Sequence, residues 1–194
     1  MNVPYKIEYT KGFCIFWGIC FGIMIYADGI LGFALIALMM LTLIHHEHSH
    51  AVVCNKLGIK INEIKFNFLG GFVNADIVYA RDAAKVLGAG VINTGMYALA
   101  FTIPTFLIYY VKPIGLNFAQ NPYLNFIDTM SGCMILFFLM VIIPVKYKHG
   151  KHGLITTDGY GVYLMNKLAT ERDDELWNSG AVDALNQLQT LQRN

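Results

Sequence analysis

Charge is what this sequence has least of. Charged residues make up 14% of its 194 residues, against about 25% in an ordinary soluble domain. With hydrophobic residues at 56%, too little polar surface is left to cover a water-soluble globule, and the shortfall points to lipid contact. The net charge of +1 gives no bias toward nucleic acid or anionic partners. Cysteine is also scarce. Cys14, Cys20, Cys54 and Cys133 stand singly in apolar stretches without a CxxC pair, which leaves no basis for a disulfide framework or a cysteine metal site and reads them as small buried hydrophobes. There is no internal repeat and no low-complexity tract. After the polar lead MNVPYKIEYTKG, the segment Tyr26-Ala27-Asp28-Gly29 makes a poor signal-peptide cleavage site, so the first apolar run is read as retained.

What the sequence has instead is long apolar runs, at about 13–27, 30–44, 86–111 and 126–145. A span needs roughly 20 residues to cross about 30 Å of hydrocarbon. The third and fourth runs reach that length, and the second does so when it includes the histidines that follow it. The first is short at its polar edge. Basic residues alternate by side. Lys6 and Lys11 precede run one, and Lys56, Lys60, Lys65, Arg81 and Lys85 follow run two. Only Lys112 follows run three, while Lys146, Lys148 and Lys151 follow run four. The positive-inside rule then puts the N-terminus, the 56–85 segment and the 146–157 segment in the cytosol.

Residues 59–79 read as extended. Ile59 and Ile61 alternate with Lys60 and Asn62, and Ile64, Phe66 and Phe68 with Lys65 and Asn67, before Gly70-Gly71 breaks the pattern. A strand–turn–strand unit is expected there. After Asp158 a short apolar helix is expected over 159–168. Past the acidic stretch that begins at Glu171, Val182, Leu185, Leu188 and Leu191 mark a small amphipathic helix. The expected architecture is mainly α: a polytopic membrane helix bundle of about four spans plus a short Asp-bearing helix, with a small β element after the histidine-bearing helix. Residues 1–170 form one membrane-embedded domain and 171–194 a polar amphipathic tail.

Chemistry concentrates where run two ends, in His45-His46-Glu47-His48-Ser49-His50. His46 and His50 are four apart and share a helix face, so they can bind one ion. Glu47 follows the first of them and is placed to act as general base, the HExxH arrangement of zinc hydrolases. Ionisable groups inside an apolar helix are expensive, which makes a functional site the default reading. His45 and His48 point elsewhere on the wheel and read as interface or supporting groups. At about 1.5 Å per residue, His46 lies about 24 Å along the helix from Ile30, and so roughly 6 Å inside the cytosolic boundary of a core about 30 Å thick. Catalytic zinc usually takes three protein ligands, so one is missing. Glu63, Asp76, Asp82 and Asp158 are candidates on the same side, whereas Asp128 lies on the other. Asp158 is the strongest, because it opens the short apolar helix after run four. A carboxylate there is also what a plain N-cap looks like, so both readings stand at this point.

The chain resembles the site-2 protease family of intramembrane zinc metalloproteases over about residues 30–167. Three patches carry the resemblance. His46-Glu47-His48-Ser49-His50-Ala51 is similar to the family's HELGH followed by a small residue. Leu69-Gly70-Gly71-Phe72-Val73 looks like its Gly-Gly element, and Thr157-Asp158-Gly159-Tyr160 like its Asp-Gly ligand motif. A fourth, Gly90-Val91-Ile92-Asn93, looks like its Gly-Pro-x-x-Asn. There are departures. The family often has Asn three residues before a Pro ahead of Asp-Gly, but Val141 precedes Pro144 here. A basic insert with His149 and His152, read as loop or headgroup residues, follows. The resemblance implies one Zn²⁺ per chain held by His46, His50 and Asp158. It implies Glu47 as catalytic acid–base and Asn93 as a residue steadying substrate or oxyanion, although an Asn in an apolar helix also serves as helix–helix glue. The implied substrate is a transmembrane or membrane-associated peptide, with the bilayer as the other partner. The edge of the 59–78 sheet would capture an unwound stretch of that peptide. The alternative is a metal-binding membrane protein or degenerate protease scaffold, which would need the ligands but not Glu47. No oligomeric state is assigned.

Overall fold

The computed structural model describes residues 5–67, 70–77, 79–110, 121–143, 146–148 and 154–171. The amphipathic tail expected beyond 171, the insert histidines His149 and His152, Leu69 and Pro144 lie outside the described residues. Among the described residues, four helices carry the fold: α1 (Lys11–Lys56), α2 (Ala80–Tyr110), α3 (Pro122–Ile142) and α4 (Asp158–Glu171). The first three are long and apolar enough to cross a membrane, and the chain is an integral membrane protein.

Helix α1 holds the first two apolar runs. A straight helix of its 46 residues would reach about 69 Å, far more than a bilayer needs. It does not run straight. Gly29 has φ 59° and ψ −131°, and there the helix turns back on itself. Phe21 and Phe33 meet across the turn at 5.2 Å. Near the open end, Phe13 shares a buried cluster with Ala51 and Cys54, residues about 60 Å away along a straight helix. The two runs are thus the arms of a hairpin. With α2 and α3 they account for the four expected runs, although only three helices carry them.

The sheet is larger than the sequence suggested. Strands β2 (Ile61–Asn67) and β3 (Gly70–Ala75) form the expected antiparallel pair. The N-terminal lead, read from its polarity as a plain lead, instead contains β1 (Lys6–Tyr9), which pairs parallel with β2. Phe66 fastens this junction. Its carbonyl accepts from the Thr10 N–H at 2.9 Å, and its ring stacks on Tyr9 at 5.0 Å and tilts against Phe13 at 5.5 Å. The Thr10 hydroxyl caps α1 by accepting from the Phe13 N–H at 3.2 Å. On the exposed face, hydrogen bonds from Lys6 and then Lys65 hold the Glu8 carboxyl below the usual carboxylate range. A second hairpin, β4 (Lys146–Lys148) with β5 (Leu154–Thr156), occupies part of the basic insert, where no strand was expected.

Helix α2 is the hub, packed against α1, α3 and α4. Mid-bundle, Leu35, Ala98, Met130 and Met134 join the three long helices in one buried cluster. At the sheet end, Ala80, Ala83 and Ala84 of α2 receive Met165 of α4, small residues letting two helices approach closely. The sheet, the histidines and the start of α4 therefore gather at one end of the bundle. Exposed Tyr26, Tyr109, Tyr110 and Tyr123 lie toward the other.

An alanine at Gly29 meets no atom within 4 Å, so its cost is conformational. Gly29→Ala is expected to lower stability by about 1–3 kcal/mol, seen as an earlier midpoint in denaturant titration of the detergent-solubilised protein. Gly18→Ala, at a position with equally open space and ordinary helical backbone, is expected not to lower it.

Candidate metal centre

The turn of α1 that carries the motif is buried, with His46, Glu47 and His50 exposed by only 6%, 5% and 5%. The spacing of four residues puts both imidazoles on one face, their rings 4.9 Å apart and edge to face. Asp158 comes to them from the start of α4. Its Oδ2 lies 2.9 Å from His46 Nε2 and 3.1 Å from His50 Nε2, and the two Nε2 atoms are 3.3 Å apart. Among the described residues, these three form the group able to hold a metal ion.

The backbone shows that Asp158 is not the cap of α4. The Thr157 carbonyl accepts the first helical bond, from the Gly161 N–H at 2.9 Å, so Thr157 holds the cap position and Asp158 is the first residue inside. Thr157 also fixes where α4 begins, since its hydroxyl donates to the Ile143 carbonyl at the end of α3 at 2.7 Å. The other candidate ligands are elsewhere. Asp76 accepts from Asn62 and Asp82 from Lys85, while Glu63 is half-buried on β2 and belongs to no metal-binding group among the described residues.

Proton bookkeeping tests whether a cation fits. His50 Nδ1 lies 2.7 Å from the Val86 carbonyl, and His46 Nδ1 lies 3.1 Å from the Gly90 carbonyl and 2.8 Å from the Thr94 hydroxyl. Carbonyl oxygens only accept, so both Nδ1 atoms carry the hydrogen, and in neutral imidazole Nε2 is then a bare lone pair. Two such lone pairs converge with a carboxylate oxygen that is buried without a hydrogen-bond partner. Three acceptors at these distances repel unless a cation joins them. A tetrahedral zinc with bonds of about 2.0–2.2 Å sets its ligand atoms about 3.3–3.6 Å apart, close to the triangle observed. Two imidazoles and a carboxylate also suit that ion.

Two glycines let backbone close over the site. A Cβ on Gly90 would lie 2.4 Å from His50 Cε1 and 2.6 Å from both Asp158 Oδ2 and His46 Cε1, so α2 can present its carbonyls only because no side chain intervenes. A Cβ on Gly71 would lie 2.3 Å from Glu47 Cγ, which places β3 directly on the Glu47 side chain. Asn93 is not in the triangle. It lines an adjoining groove of about 700 Å³ between α1 and α2, with His48 and Ser49 among its neighbours, and its Oδ1 is buried without a hydrogen-bond partner. His45 and His48 face outward, bonded to the Tyr97 and Tyr5 hydroxyls respectively, which agrees with their exclusion as ligands. Sequence reasoning missed Val86 and Thr94. With Gly90 they form an i, i+4, i+8 row on α2, a spacing visible in the sequence but chemically silent until its partner face is known.

The fold and the centre together define a polytopic membrane protein with a buried His-His-Asp cluster at one end. No protein-family model and no curated protein matches the chain. Among solved structures, the site-2 protease from Methanocaldococcus jannaschii matches over 89% of this chain and 72% of that one, at 18% identity and a TM-score of 0.55. The chain has a site-2-protease-like fold.

Gly90→Ala is expected to cut divalent-metal affinity by about tenfold or more, measured by chelator competition on purified protein. Its helical content should be retained, as judged by circular dichroism.

Proposed function

We propose that the chain is a zinc-dependent intramembrane endopeptidase. The observation that supports this most is the triangle of His46 Nε2, His50 Nε2 and Asp158 Oδ2 beside the buried carboxylate of Glu47. His46, His50 and Asp158 would hold the zinc, which when bound acts as a Lewis acid toward the scissile carbonyl and makes water acidic enough to attack near neutral pH.

The chain's own groups supply the rest. Glu47 takes the proton from the attacking water and delivers it to the leaving amine. Its burial excludes competing solvent, and Gly71 overhead holds its side chain in one place. Asn93 offers a polar group to the substrate backbone from the groove beside the site. The sheet order β1-β2-β3 leaves the outer edge of β3, next to Glu47, available for strand addition by an unwound substrate segment. The substrate class is therefore a transmembrane or membrane-associated peptide made extended near the membrane surface. Lys56, Lys60, Lys65, Arg81 and Lys85 surround the site end. That distribution favours a site facing the cytosol.

The test is cleavage of a model transmembrane peptide by the protein in proteoliposomes, with zinc content measured in parallel. Glu47→Gln is expected to lower the cleavage rate by at least about 10²–10⁴-fold while keeping stoichiometric zinc, whereas His46→Ala should lose both. Cleavage surviving in Glu47→Gln would overturn the mechanism. A wild type that binds zinc but cuts no peptide would favour a metal-binding protein without hydrolysis. Gly71→Ala is expected to retain zinc and lose most activity, because the new methyl must displace Glu47.

A further inference from the structure

The hydroxyl of Thr94 makes an arrangement that those of Thr42 and Thr105 do not. Thr42 and Thr105 each donate to the carbonyl four residues back, at 2.8 Å in both cases, an ordinary use of a threonine inside a helix. Thr94 does the same toward Gly90, at 3.0 Å, but its oxygen also lies 2.8 Å from His46 Nδ1. Having donated its only hydrogen, the hydroxyl can only accept there. Its side chain is completely buried, so no water competes. The Gly90 carbonyl is a longer second acceptor for the same Nδ1, at 3.1 Å. His50 has one such partner, the Val86 carbonyl, and needs no side chain for the purpose.

We infer that Thr94 is a positioning residue for the metal centre: its hydroxyl fixes the His46 ring and its tautomer so that the Nε2 lone pair faces the ion. This rests on the metal-site reading above. A hydrogen-bond partner on the far nitrogen orients a ligating imidazole and strengthens it as a donor. In this chain the partner is a side chain, and so can be changed without touching the backbone.

The test is zinc affinity of the purified full chain, by competition with a chromophoric chelator, for wild type, Thr94→Val and Thr94→Ser. Valine keeps the shape and removes the acceptor, while serine restores it. Thr94→Val is expected to bind zinc about 10- to 100-fold more weakly and Thr94→Ser within about threefold of wild type, with the metal-free thermal midpoint of Thr94→Ser unchanged. Should Thr94→Val fail to fold, Thr94→Ala takes its place in the comparison. Equal affinity for Thr94→Val and wild type would overturn the inference while leaving the protease reading intact. Equal losses for valine and serine would also overturn it, since methyl packing rather than the hydroxyl would then matter. A wild type that takes up no zinc would overturn both.

Discussion

The site depends on the contact between one face of α1 and the backbone of α2. His46 and His50 each spend their Nδ1 hydrogen on that helix, and everything else about the centre follows from the commitment. It turns both Nε2 atoms toward the same point and leaves them without protons. It also requires that the α2 carbonyls be reachable, although in a regular helix each is already engaged with an N–H four residues on. A carbonyl has two lone pairs, so a second bond is available where a donor can come close enough. At Val86 that second bond goes to His50, and at Gly90 the absent side chain lets the His46 ring come close enough to reach the Thr94 hydroxyl. Helix association in lipid gains little from apolar burial and relies on close packing and hydrogen bonds. The contact that orients the ligands is thus also part of what holds α1 to α2.

The reversal at Gly29 and the strand β1 serve the same end of the molecule from a distance. By turning back, α1 brings Phe13 and Thr10 to the level of Cys54, and so brings β1 alongside β2. The sheet is then anchored at both ends of one hairpin rather than hanging from a single helix terminus. That matters because β3 must bear on Glu47 in a fixed position. Closure of Gly71 over the carboxylate needs a rigid strand behind it, and β2, held between β1 and β3, provides one.

Much of this was readable from residue order. The apolar runs, the i, i+4 histidines and the alternating stretch before Gly70-Gly71 are local patterns with one dominant physical reading each, and each appears where expected. Asp158 was legible as a candidate but not decidable, because a carboxylate at a helix start serves capping and ligation equally well. That Thr157 takes the cap is a fact about backbone geometry. Strand β1 escaped because its alternation, Lys6-Ile7-Glu8-Tyr9, lasts only four residues, and its partner lies more than fifty residues away. Thr94 escaped for a related reason. A threonine in an apolar helix satisfies itself by bonding backward, so its second role exists only once α1 lies against α2.

Charge balance bears on the proposal that a metal rather than protons fills the triangle. Protonating both imidazoles at Nε2 would give each ring a hydrogen aimed at a single carboxylate oxygen and a second hydrogen facing its α2 partner. The same oxygen would then serve two donors, and the Glu47 carboxylate would have no partner fixed by the geometry. Burying ions without complete pairing is costly away from water. A dication instead meets all three lone pairs at once. Its two charges would balance those of Asp158 and Glu47 and leave the centre neutral as a whole, with each imidazole neutral too. On this accounting the donor set favours a dication over protons. The same balance would let Glu47 lie buried beside Asp158, since the two carboxylates would share one counter-charge.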